Sequence, residues 1–186
     1  KSIYVKTAGL IQLLAQNRLP VPAKKAELSV VDGIYSHFVK GGDIKKGQGR
    51  HSDDCRRLRT IFERITPYSF VILDDLYGGG TSSLEAKEEA LIQFEYFNRI
   101  GAVTLLTTHV HEISSEAEGI LYVINLHVEV TEKDGEMVYT RRVIPGRATE
   151  SYGRLVAEQE GVGEKGLQEL VEKRIKEGTL PPSVLK

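Results

Sequence analysis

Two adjacent carboxylates, Asp74 and Asp75, close the apolar run Phe70-Val71-Ile72-Leu73. A run of this kind, bounded by Thr66-Pro67-Tyr68-Ser69 and by Gly78-Gly79-Gly80, predicts a strand buried on both faces of a parallel sheet. Open α/β sheets bind ligands beyond the carboxyl ends of their strands. Paired acids at such an end suit a Mg-nucleotide site, with Asp74 near the metal and Asp75 beside the attacking water. The same pattern also fits a buried strand running into a solvated turn. Lys1-Ser2 stands directly before an apolar helical segment, which is how a phosphate-binding loop ends. In such a loop backbone N–H groups cradle the phosphates, the Lys reaches the β- and γ-phosphates, and the hydroxyl ligates Mg²⁺. Lys-Ser pairs also occur by chance. The chain opens without Met and without the glycines of that loop, which suggests that a segment upstream of Lys1 has been cut away. A further candidate, His109, ends the apolar run Ala102 to Thr108. With Glu112 beside it, the pair His109 and His111 also allows a zinc reading, although no further ligand cluster accompanies it.

The elements that must position these groups follow from spacing. Ile3 to Ala15 reads as a helix with apolar positions at Leu10, Leu13 and Leu14. Leu19-Pro20-Val21-Pro22-Ala23 must be extended, because a proline disfavours helix in the residue before it. Ala26 to Phe38 is strand-like, with Leu28, Val30, Val31, Ile34, Tyr35 and Phe38 as its apolar positions. Residues 40–52 carry four glycines and five basic side chains, a composition that suits either an anion-meeting loop or a plain linker. Ser52, Asp53 and Asp54 resemble a helix start, and Leu58, Ile61, Phe62 and Ile65 recur at helical spacing. Leu84 to Ile100 is a second such helix, capped by Ser82 or Ser83. A strand, a helix and a strand in sequence predict a parallel crossover, which places His109 and Asp75 on one edge of the sheet. Ile120 to Val130 and Met137 to Ile144 form an antiparallel hairpin around Asp134-Gly135, expected at a sheet edge. Two helices follow, Arg154 to Glu160 and Lys165 to Lys176, the second with Leu167, Leu170, Val171 and Ile175 on one face. That face suits packing on its own domain or a dimer contact. Pro181-Pro182 closes the chain as an extended tail.

A length of 186 residues accommodates one well-cored α/β domain with a small appendage, and no second full domain is required. Hydrophobic content of 40% and charged content of 27% are ordinary globular values. No apolar run approaches the roughly 18 residues of a membrane span, so no membrane partner is expected. A net charge of -1 gives the domain no strong field for nucleic acid, so any grip on DNA is local or lies outside this chain. Cys55 is the single cysteine and cannot form an internal disulfide. With no secretory signal, that favours a reducing cytoplasmic setting.

Taken in order, these motifs resemble the ATPase domain of the MutS family of DNA mismatch-repair proteins, a branch of the ABC-type P-loop ATPases. Lys1-Ser2, Ala15-Gln16, Val21-Pro22-Ala23 and Val31-Asp32-Gly33-Ile34 match the family's early pattern. Val71 to Ser82 resembles its acidic strand and the loop after it, and Thr107-Thr108-His109 its sensor strand end. Ser151-Tyr152-Gly153 and Gly161-Val162 match its late pattern. The resemblance implies an α/β fold: a mostly parallel sheet of the P-loop ABC-type ATPase with an antiparallel edge hairpin and a C-terminal helical segment. Residues 1–150 would form the ATPase domain, lacking the strand and glycines before Lys1, and 151–186 a helical, dimerising segment. It further implies ATP and Mg²⁺ as cofactors. Lys1 would hold the β/γ-phosphates, Ser2 and Asp74 the Mg²⁺, Asp75 would orient or activate water, and His109 would sense the γ-phosphate. It implies a homodimer in which each signature loop completes the partner's site, DNA bound through upstream domains, and other DNA-repair proteins as partners.

The chain departs from the family in three places. Asp75 replaces the usual Glu and is one methylene shorter, which suits slow or absent turnover. Gly47-Gln48-Gly49-Arg50-His51 replaces the signature, leaving Gly49 where a Ser belongs, with Ser52 able to substitute by a register shift. The loop after Asp75 has one extra residue, with Gly79 near the place of a common Arg. Arg50 to Asp54 resembles divergent MutS-related proteins. The function implied is ATP-driven conformational change on DNA, in mismatch repair or related DNA maintenance. The alternative is a nucleotide-binding dimerisation and docking module with little or no hydrolysis.

Overall fold

The computed structural model describes residues 1–38, 50–76, 83–133, 136–148 and 153–181. Two compact units, Lys1–Arg147 and Ala148–Lys186, divide the chain. At the centre of the first lies β2 (Ser69–Leu73), whose five residues are all buried. β2 pairs in parallel with β1 (Gly33–His37) on one side and with β3 (Val103–Leu106) on the other. The predicted buried strand and parallel crossover are both present. Because successive residues of a strand face opposite ways, β2 feeds two cores. Val71 and Leu73 pack with Leu58 and Ile61 of α2 (Arg50–Phe62), Ala90 and Phe97 of α3 (Ser83–Ile100), and Ile113 of α4 (His111–Ala117). Phe70 and Ile72 pack with Val5 of α1 (Ser2–Gln16). The result is a sheet covered by helices on both faces, the layering that parallel strands require.

The buried side of α1 is not the one that its leucines predict. Val5, Gly9 and Gln12 are buried, whereas Leu10 and Leu13 are 47% and 51% exposed. Gly9 is the reason. A Cβ there would stand 2.4 Å from Ile72 Cδ1, so the missing side chain lets the helix lie against the strand. Gly9→Val is expected to destabilise the fold by about 1–3 kcal/mol through overpacking, read as a lower urea midpoint. An unchanged midpoint would show that Ile72 simply yields.

The strand expected over Ala26 to Phe38 begins only at Gly33. Leu28 and Val30 are exposed, and the preceding segment is held to α1 by side-chain amides instead. Gln12 Nε2 donates to the Ser29 carbonyl at 2.8 Å, and Gln16 Nε2 to that of Val31 at 3.2 Å. Val31 N in turn donates to Gln16 Oε1 at 2.8 Å. Gln16 thus serves the Val31 backbone as a neighbouring strand would.

Asp32 fastens the start of β1 to the turn before β2. Its backbone N donates to the Tyr68 carbonyl at 3.1 Å, and its carboxylate accepts from the Thr66 hydroxyl and, at 2.8 Å, from Ser69 Oγ. The Thr66 hydroxyl first, then that of Ser69, hold the Asp32 carboxyl below its usual pKa. A depressed folded pKa contributes stability that is present above the unfolded value, about 3.9, and is lost as pH falls through the folded one. Asp32→Asn should therefore flatten the acid limb of stability below about pH 4 in urea midpoints measured against pH. Parallel acid limbs for the two proteins would contradict this role.

β4 (Leu126–Lys133) and β5 (Glu136–Pro145) pair antiparallel, as expected, in a two-stranded sheet of their own among the described residues rather than at the edge of the parallel sheet. The Asp134-Gly135 turn lies outside the described residues. β4 starts six residues later than the apolar pattern suggests. Val123 N closes a turn onto the Ile120 carbonyl, Tyr122 adopts a left-handed φ of 65°, and Asn98 and Asn125 side chains hold Leu121 and Ser114 carbonyls. In the second unit, α5 (Gly153–Gln159) and α6 (Glu164–Lys176) meet through glycines. Gly161 has a φ of +70°, and a Cβ on Gly166 would fall 2.3 Å from the Gly161 carbonyl oxygen. Leu167 and Leu170 of α6 are 49% and 50% exposed, so its apolar face is open within this unit. Among the described residues, no helix is long and apolar enough to cross a membrane.

Candidate functional site

Where β2 and β3 end side by side, the sheet carries Asp74 and Asp75 from one strand and Thr107, Thr108 and His109 from the next. Ladder bonds continue past both strands and fix them. Asp74 N donates to the His37 carbonyl at 2.8 Å, and Thr107 N to the Leu73 carbonyl at 2.9 Å. Thr107, itself buried, then joins the two acids through one hydroxyl. Its Oγ1 donates to Asp74 Oδ1 at 2.8 Å and accepts the Asp75 N–H at 2.9 Å. Asp74 is buried, and this bond gives one of its oxygens a hydrogen-bond partner.

Asp75 leaves the strand in the left-handed region, with φ of 51°. Aspartate tolerates that conformation better than most residues, and the turn carries the carboxylate towards the neighbouring strand end. Asp75 Oδ1 lies 2.7 Å from His109 Nδ1. The shared edge predicted for these two residues is thus present, and the imidazole faces the acid. Among the described residues no group of three or more His, Cys, Asp or Glu side chains could hold a metal ion.

Lys1 reaches the same edge from α1, where its Nζ donates to the Thr108 carbonyl at 2.5 Å. Burial lowers its pKa, opposed by the negative charges of Asp75 and Asp74. An amine so placed is a cation between two acids and a helix N-terminus, and suits a multiply charged anion. Ser2 opens α1 beside it. A second amine, Lys6 Nζ, lies 4.0 Å from Asp74 Oδ2 and 5.1 Å from the centroid of the Phe38 ring.

The structure therefore brings Lys1, Asp74, Asp75 and His109 together, with Ser2 adjacent. It leaves Ser52 on α2, exposed in the first turn, and that helix starts at Arg50 rather than at Ser52. Gly49 lies outside the described residues, as do Gly78 to Ser82. From the sequence Thr107 stood out only as part of the strand-end run Thr107-Thr108-His109, and Lys6 not at all. A threonine directly ahead of the strand-end Thr-His pair was the available signal for the first; nothing in the sequence marked the second. In chemical terms the edge offers hard oxygen donors that suit Mg²⁺, cations that suit phosphate, and a carboxylate–imidazole pair able to orient water.

Comparison with known proteins identifies the family. The family model described as MutS domain V matches residues 1–176. The chain is 33% identical over 185 residues to the DNA mismatch repair protein MutS of Caldicellulosiruptor saccharolyticus, covering 97% of this chain and 21% of that protein. It is 32% identical over 164 residues to MutS of Streptococcus thermophilus, covering 87% of this chain and 19% of the relative. With the protein described as DNA mismatch repair protein MutS 2 of Haloarcula marismortui it shares 35% identity over 163 residues, 87% of this chain and 17% of that one. The chain thus spans no more than 21% of the length of these three relatives. A match along nearly all of its length, together with the layered α/β fold, leaves one assignment: the chain belongs to the MutS domain V family.

Proposed function

We propose that this chain is the ATPase domain of a MutS-related DNA-maintenance protein, and that ATP turnover at the β2 edge drives movement of DNA-contacting segments lying elsewhere in the protein. The observation that carries this reading is the convergence of Lys1, Asp74, Asp75 and His109 on one strand edge, with the two acids joined by the Thr107 hydroxyl. Asp74 and Ser2 would hold Mg²⁺, which supplies charge neutralisation along the phosphates when bound. Lys1 binds the phosphate oxygens, Asp75 orients the water and receives its proton, and His109 holds Asp75 and faces the terminal phosphate. Gly49 and Ser52 act on the nucleotide of a second subunit. The open apolar face of α6 supports a homodimer. Residues 50–54 support a divergent branch of the family, and the single Cys55 accords with a reducing cytoplasm.

A second reading has its own observation. Asp75 is a methylene shorter than a glutamate and is engaged with His109, which suits a module that binds nucleotide and docks partners with little hydrolysis. Steady-state ATP hydrolysis by the full-length protein decides between them, measured across protein concentration with and without duplex and branched DNA. Turnover that rises with dimer formation supports the ATPase. Nucleotide binding without turnover at any concentration supports the docking module.

A further inference from the structure

His37, the last residue of β1, is 2% exposed, and among the described residues its Nδ1 has no hydrogen-bond partner. Buried polar atoms are nearly always bonded, so an imidazole left in this state needs a physical account. Its Nε2 lies 3.0 Å from Asp54 Oδ1. Asp54 is buried in the second turn of α2, and the neighbouring Asp53 is held by Arg57 at 2.9 Å. The backbone of the same histidine faces the other way, its carbonyl accepting the Asp74 N–H at 2.8 Å. One residue therefore touches α2 with its ring and the acidic strand end with its carbonyl.

We propose that His37 is a positioning residue that couples the first turns of α2 to Asp74 and Asp75, through its ring contact with Asp54 and its carbonyl bond to the Asp74 N–H. Its consequence for turnover rests on the ATPase reading, whereas the coupling itself does not. A change in the position of α2 is passed to the strand end because the His37 carbonyl holds the Asp74 N–H.

The test uses the full-length protein with Asp54→Asn, His37→Leu, His37→Gln and the double variant Asp54→Asn/His37→Leu. Amide hydrogen exchange at residues 50–54 and 74–76 is followed beside the ATP kcat and KM. Asp54→Asn is near-isosteric and should speed exchange at 74–76 as well as at 50–54. Each of Asp54→Asn and His37→Leu should lower kcat roughly tenfold with KM within about twofold, and the double variant should lose no more than the worse single one. His37→Gln, which keeps an N–H towards Asp54, should retain more turnover than His37→Leu. Unchanged exchange at 74–76 in Asp54→Asn, or losses of kcat that simply add, would overturn the coupling. Should His37→Leu fail to fold, exchange in Asp54→Asn decides alone. Absence of turnover in the unmodified protein would sink the ATPase reading and leave the exchange result to judge the coupling.

Discussion

Asp75→Asn should lower ATP turnover by the full-length protein at least about 100-fold while leaving ATP affinity within about threefold, because it removes a proton acceptor without changing shape. Asparagine suits this position for a second reason. Asp75 sits at a φ of 51°, which Asn adopts readily, so the loss cannot be blamed on the backbone. The His109 ring would meet an amide in place of a carboxylate at the 2.7 Å contact. Steady-state phosphate release with a parallel nucleotide-binding titration checks both halves. Asp75→Glu completes the argument: a rate above that of the unmodified protein would mean that the short acid holds the water poorly. Equal turnover in Asp75→Asn would remove Asp75 from the reaction.

Thr107→Val has the next largest expected effect, although Thr107 contacts no nucleotide in this account. Valine fills the same space and deletes the hydroxyl that serves both acids, leaving the Asp74 carboxylate and the Asp75 N–H each short of a partner. A buried polar group so orphaned costs about 1–3 kcal/mol, so the urea midpoint should fall. Displacement of the acids by a fraction of an ångström should also lower kcat by about 10- to 100-fold. Thr107→Ser, which keeps the hydroxyl, should recover most of both. A valine variant equal to the unmodified protein in stability and rate would show that the acids are fixed by the sheet alone.

The central strand and its acids could be read from the chain because both signals are local. Phe70 to Leu73 is a short apolar run, and Asp74 and Asp75 follow directly. The parallel pairing with β3, and with it the His109–Asp75 contact, followed from element order and the short reach of a crossover. What escaped depends on register or on the absence of a side chain. Thr107 meets Asp74 across 33 residues of chain, and only the β2–β3 alignment closes that gap. The burial of α1 turns on Gly9, which an apolar count ignores, so the leucines pointed to the wrong face. Leu28 and Val30 have strand composition, yet Gln16 binds the neighbouring Val31 backbone and no strand forms there. His37 and Asp54 look like ordinary polar residues until β1 and α2 are packed together.

The most direct measurement is single-turnover hydrolysis: full-length protein in excess over ATP, with Mg²⁺, quenched on the millisecond-to-minute scale, unmodified and as Asp75→Asn. The account predicts phosphate formation in the unmodified protein and at least about a 100-fold slower course in the variant, with ATP bound in both. Bound ATP that remains intact in the unmodified protein, or equal rates in the two, would contradict it.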